Sequence, residues 1–259
     1  MTSTPQQPHA GGDRARPAPR RDQAGVDPRH KEMHRDVQGG EARAAVFGVS
    51  DGLVSNVSLV VGVAGASIGS GPVLLAGIAG LVAGAISMAA GEYVSMKAQS
   101  ELFERELQLE RDEIIRNPEG ETRELADIYT SRGMPAAEAM GYARTMMADL
   151  DVAVETHARE ELGIDPHQLG SPVGAALSSF VAFAVGALLP ILPWFFLSGL
   201  AAVIASVVTG VLAAVAVGAA IGQLSGRGRV RPAVRQAVIL VLACAVTYGV
   251  GALVGVSLA

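Results

Sequence analysis

Polar and apolar positions are sorted into long blocks along this chain instead of alternating at short range. Residues 1–43 are polar, rich in Pro, Arg, Gln and Gly, and carry no apolar period. An apolar run covers residues 44–67, and a second covers 73–94 after the short uncharged loop Ile68-Gly69-Ser70-Gly71-Pro72. Charge then returns over residues 95–170. Three more apolar runs follow, at 172–192, 193–221 and 233–258. Between Ser171 and Gly226 there is no Asp, Glu, Lys or Arg. Apolar runs of about 20 residues are the length that crosses a hydrocarbon layer as a helix. The blocks predict an all-α membrane protein with about five transmembrane helices and a helical insert between spans two and three. The expected organisation is a disordered basic tail (1–43), spans one and two (44–95), a cytosolic helical metal-binding domain (96–170) and spans three to five (171–259).

Within the insert, residues 99–116 read as a charged helix continuous with the second span, ended by Asn117-Pro118, since proline breaks a helix interior. A second helix is expected over 119–132. Gly133-Met134-Pro135 restarts the chain, because proline suits a first helical turn. Residues 136–162 are helical, with an interruption expected near Asp149 and Asp151, and Gly163-Ile164-Asp165-Pro166 closes the insert. Gly80 and Gly84 form a small-xxx-small pair that would allow close helix contact.

Composition supports the membrane assignment. Half of the 259 residues are hydrophobic and 17% are charged, against about 25% charged in a soluble domain. The net charge of −5 averages a basic tail with an acidic insert. Arg14, Arg16, Arg20, Arg21, Arg29, Lys31, Arg35 and Arg43 precede the first span, and Arg227, Arg229, Arg231 and Arg235 lie between the last two. With five spans, both groups and the insert fall on one face, which the positive-inside rule identifies as cytoplasmic. Nucleic-acid binding is not expected, because the Arg-rich part is short and lacks interleaved aromatics. Cys244 lies in an apolar run and reads as a small hydrophobe. The polar N-terminus gives no signal-peptide pattern. Trp194, in the loop between the third and fourth runs, suits an interfacial position.

A few polar residues carry the candidate chemistry. Asp51 lies inside the first apolar run, where a carboxylate costs roughly 2.5 to 3.5 kcal/mol near the bilayer centre. The spans offer it almost no basic partner, which favours a cation ligand or a proton carrier. Met88, in Ser87-Met88-Ala89-Ala90-Gly91-Glu92-Tyr93, is a soft thioether suited to Fe2+. Glu92 lies near the end of its span, and Asn56 adds a neutral oxygen beyond Asp51. Lys97 reads as snorkelling to the interface. In the insert, Glu106, Glu110 and Glu113 share one helix face, with Glu101 and Glu104 shortly before them. Glu121 and Glu124 are paired on the next helix, and His157 and Glu161 near the end of the last. Acidic stripes on facing helices assemble carboxylate sites for iron or manganese. Oxygen ligands suit Mn2+ and Fe2+, and one imidazole extends the range to Zn2+ or Co2+. The plainer reading is a solvated charged helix, with Arg105, Arg111, Arg116 and Arg123 at salt-bridge spacing. For His9, His30 and His34 in the tail, solvated histidines are the plainer reading as well.

Gly48-Val49-Ser50-Asp51-Gly52-Leu53, followed by Gly84-Ala85-Ile86-Ser87-Met88-Ala89-Ala90-Gly91-Glu92-Tyr93, resembles the vacuolar iron transporter family. The resemblance runs from residue 44 to the C-terminus and takes in the insert, Pro190 and Pro193. It implies a homodimer of five-span subunits that exports Fe2+ or Mn2+ from the cytosol in exchange for protons. It implies a path at the dimer interface lined by Asp51 and Met88. It also implies metal capture by Glu110, Glu113, Glu121, Glu124 and Glu161. Two departures stand out. His157-Ala158 replaces methionines of plant-type members, so imidazole stands in for thioether, and Gly80 replaces a glutamate of some members.

The expected function is therefore a proton-coupled Fe2+/Mn2+ exporter without a prosthetic group, not an enzyme. Its partners are metal ions, protons, the bilayer and a second copy, and the expected location is a bacterial plasma membrane. The alternative is a membrane-anchored metal-binding or regulatory protein without transport. A di-iron redox enzyme is disfavoured, since the insert lacks a pair of Glu-x-x-His motifs.

Overall fold

The computed structural model describes residues 40–66, 69–168, 170–226 and 228–258. The tail, with its expected disorder and with His9, His30 and His34, lies outside the described residues, as does Arg227. The described residues form eight α-helices and no strand. They are α1 (Glu41–Ala66), α2 (Ser70–Arg116), α3 (Pro118–Ser131), α4 (Ala136–Met146), α5 (Leu150–Glu160), α6 (Pro172–Leu188), α7 (Gly199–Leu224) and α8 (Val230–Leu258).

Four helices, α1, α2, α7 and α8, are long and apolar enough to cross a membrane. The expected third span corresponds to α6, which is apolar but has 17 residues, about 25 Å of helix against a hydrocarbon thickness of about 30 Å. The expected fourth span begins later than the hydropathy suggests, at Gly199 and not at residue 193. Leu192–Phe195 forms a 3-10 turn with Pro193 in it. Ser206 Oγ in α7 donates to the Pro190 carbonyl at 2.7 Å, satisfying an acceptor that the end of α6 leaves over. Trp194 lies in this 3-10 turn. It is 2% exposed and packs with Val60, Ala64, Val73, Ile191 and Ala202.

The spans gather around α1, which packs against α2, α6, α7 and α8. One side of α1 presents Leu53, Val57 and Val61 to Ala214 of α7 and to Leu240 and Cys244 of α8. Toward α6 the backbones themselves touch. A Cβ on Gly48 would lie 2.7 Å from the Ser179 carbonyl oxygen, and one on Gly52 or Gly186 would collide with the facing backbone. This is the small-residue contact that helices use in lipid. Gly80 and Gly84 do something else: they make room for side chains, Asn56 and Leu59 at Gly80 and the Phe183 ring at Gly84.

Helix α2 is 47 residues long, about 70 Å, more than twice the hydrocarbon thickness. It is therefore long enough to cross a membrane and continue as the first helix of the insert. Asn117 ends it and starts α3: its N–H donates to the Glu113 carbonyl, while its side chain accepts from Gly120 N. Leu125 and Ala126 of α3 pack on Ala139 and Ala143 of α4. The Tyr129 and Tyr142 rings meet edge to face at 5.0 Å. Asp149 interrupts the third stretch as expected, capping α5 through Asp151 N and Val152 N. Arg111 of α2 holds α5 by an ion pair to Asp151 at 2.8 Å.

Candidate metal sites

The insert brings α2, α3 and α5 together around His157. The imidazole is fully buried, and Glu110 and Glu121 beside it are 4% and 9% exposed. His157 Nδ1 lies 3.1 Å from Glu110 Oε1, 3.5 Å from Glu161 Oε2 and 4.0 Å from Glu121 Oε2. Glu110, His157 and Glu161 each offer one ligand atom, all within 4.8 Å of one another. The Glu110 oxygen and both ring nitrogens are buried without a well-aligned hydrogen bond. Ligands about 2.1 Å from one metal ion stand roughly 3.0 to 3.4 Å apart at right-angle or tetrahedral geometry, and the two shortest separations are close to that.

The electrostatics are unbalanced in the same direction. Among the described ion pairs, none joins an arginine or lysine to Glu110, Glu121 or Glu161. Arg111 pairs with Asp151, Arg159 with Glu155 and Asp165, and Arg132 with Glu160. Buried carboxylates without a cation hold their protons. Burial pushes Glu121 up from its usual range, and the charges of Glu110, Glu124 and Glu113 push it further. Burial, then Glu110 and Glu124, raise Glu161 likewise. Burial alone would lower His157, but the neighbouring Glu110, Glu161 and Glu121 more than offset it, so the imidazole sits above its ordinary value. A divalent cation would satisfy the whole group at once.

The second site is a groove of about 350 Å³ among α1, α2 and α6. Asp51, Ser55 and Asn56 of α1 line it with Ser87 and Met88 of α2. Met88 rests on Ala85, Phe183 and Ala187, so its thioether borders both core and groove. No described ion pair includes Asp51. Residues 42–252 match the family model described as VIT family. The chain belongs to the VIT family.

Similar curated proteins carry matching names. A vacuolar iron transporter of Acanthamoeba castellanii is 40% identical over 163 residues, 62% of this chain and 59% of that protein. Vacuolar iron transporter 1 of Oryza sativa subsp. japonica is 35% identical over 182 residues, 68% of this chain and 71% of the relative. Vacuolar iron transporter 1 of Arabidopsis thaliana is 33% identical over 165 residues, 64% and 66% of the two chains. The chain thus spans less than two thirds of the Acanthamoeba protein. These VIT relatives are eukaryotic and named for the vacuole, and lend no support to a bacterial plasma membrane.

Besides Asp51 and Met88 in the groove, the expected site residues of this VIT chain fall into four groups. Glu110, Glu121, His157 and Glu161 converge. Glu113 and Glu124 are exposed, yet close enough to raise Glu121. Glu106 stands one turn before Glu110, outside the group of converging ligand atoms. Glu92 turns away from the groove and pairs with Arg43 at 2.5 Å. Sequence spacing missed that pairing, because Arg43 reads as one more charge of the basic tail. Lys97 pairs with Glu101 at 3.5 Å and keeps its head partly exposed.

Proposed function

We propose that this chain carries Fe2+, or Mn2+, out of the cytosol in exchange for protons. The observation that carries the proposal is Asp51: a carboxylate in an apolar span, without a basic partner among the described residues, facing a groove it shares with a thioether. Such a residue marks an ion or proton path. One oxygen and one sulfur suit a borderline metal such as Fe2+ better than Mg2+ or Ca2+. Protonation of Asp51 competes with metal, because a carboxylate oxygen does not hold both, and that competition couples the two flows. The insert supplies the ion: its acidic cluster collects metal on the cytosolic side, where the basic loops place it.

A homodimer of five-span subunits fits this reading. The groove is open on one side, where Phe47 and Leu59 stand exposed at its edge, and a second copy would close it. Helix α6 with its following turn serves as the fifth crossing. The rival, an anchored metal-binding protein without transport, draws on the insert cluster being complete within one chain. Fe2+ uptake into proteoliposomes under an imposed pH gradient separates them. Gradient-driven flux is expected from wild type. It should vanish in Asp51→Asn and only weaken when Glu110, Glu113, Glu121 and Glu124 are all changed to Gln. No flux from folded wild type would favour the anchor, and normal flux with normal pH dependence in Asp51→Asn would sink the coupling mechanism.

A further inference from the structure

We infer that the Asn56 amide oxygen is a second cation ligand of the groove, receiving the divalent ion as it leaves Asp51. The inference rests on the transport reading above and adds a residue to it. Asn56 is 2% exposed. Its Nδ2 donates to the Ala187 carbonyl of α6 at 2.6 Å. That bond fixes which way the amide faces, since the flipped amide would set two carbonyl oxygens against each other. Asn56 Oδ1 is then left buried with no hydrogen-bond partner. A buried acceptor without a partner is rare in native proteins and calls for an occupant.

The oxygen faces Gly80 beside the Leu59 side chain, whose Cδ2 would lie 2.5 Å from a Cβ at that position. A Cβ there would come within 2.9 Å of Oδ1. Both residues line the groove that holds Asp51 and Met88. Asn56 lies five residues after Asp51, about 7.5 Å further along the axis of α1, so the two oxygens are successive stations. Amide carbonyls are ordinary ligands for hard divalent cations. A neutral oxygen holds the ion less tightly than a carboxylate, which lets it move on, and transfer through a narrow path needs sites weak enough to leave.

The test uses the full chain in proteoliposomes under a pH gradient, with Fe2+ kept reduced. Asn56→Leu removes the oxygen at similar size. Gly80→Ala keeps Asn56 and its bond to Ala187 but sets a methyl against Oδ1 and the Leu59 side chain. Each variant is expected to raise KM for Fe2+ roughly tenfold, the scale seen when groups supporting a metal are removed, with the pH dependence set by Asp51 unchanged. Wild-type KM in both variants overturns the inference. So does a lowered Tm in Asn56→Leu alone with Gly80→Ala transporting normally, because a buried water would then be the occupant. A second measurement does not depend on flux. Equilibrium dialysis of Co2+ against solubilised chain carrying Glu110→Gln, Glu121→Gln, His157→Ala and Glu161→Gln reads the groove without the insert cluster. Adding Asn56→Leu should weaken that binding about tenfold; unchanged binding overturns the inference, whereas weakened binding without any flux leaves Asn56 as a ligand and removes only the transport reading.

Discussion

Arg43 at the start of α1 and Glu92 in α2 form an ion pair, Nη2 to Oε1 at 2.5 Å. Each lies one turn beyond a groove residue, Phe47 and Met88 respectively, and neither lines the groove itself. It is lopsided: the Arg43 side chain is 64% exposed and that of Glu92 10%.

The asymmetry predicts unequal mutants. Arg43→Gln leaves a buried carboxylate without its cation and should cost about 1 to 3 kcal/mol, between the values for exposed and buried pairs. Glu92→Gln leaves an arginine that water can solvate and should cost less. The double variant should be more stable than Arg43→Gln alone. Thermal unfolding of the three variants in detergent checks the order, and an equal loss in both single variants would contradict it.

Protonation links the insert cluster to pH. Glu121 and Glu161 bind protons more tightly in the folded chain than their ordinary value of 4.5 allows, and His157 more tightly than 6.5. Groups with raised folded pKa stabilise the fold while protonated, and that contribution fades as pH rises through the folded value. The metal-free chain should therefore lose Tm steadily between about pH 5 and pH 8. Saturating Mn2+ should flatten or reverse the trend, since bound metal replaces the protons. A metal-free Tm that climbs over this range would refute the assignment.

Position decides which glutamates matter. His157→Ala should weaken Mn2+ binding to the full chain roughly 10- to 100-fold. Glu106→Gln should leave it unchanged, although Glu106 shares a helix face with Glu110. Isothermal titration of each variant measures the contrast, and equal losses would place Glu106 in the binding group.

Much of this was legible in the sequence, because hydropathy blocks and Gly/Pro punctuation act locally. The unbroken passage from span to insert, the stop at Asn117-Pro118 and the break at Asp149 all follow from short-range rules. The convergence of Glu110, Glu121, His157 and Glu161 was legible only as separate helix faces. Spacing could not separate Glu106 from Glu110, since both lie on the same stripe and only the packing of α3 and α5 picks one. The burial of Trp194 was not legible, because it depends on packing with Val60, Val73 and Ala202 far away in sequence. The pairing of Glu92 with Arg43 was not legible because the partner sits 49 residues earlier.

Helix α2 has no proline between Val73 and Arg116, and it carries Met88 and Glu110 on one unbroken rod. The two positions stand about 33 Å apart along its axis. Such a rod behaves as a lever: a tilt of about ten degrees at the groove would swing Glu110 sideways by about 6 Å over that length. Small rearrangements where the ion is released would thus be felt, enlarged, where the next ion is collected.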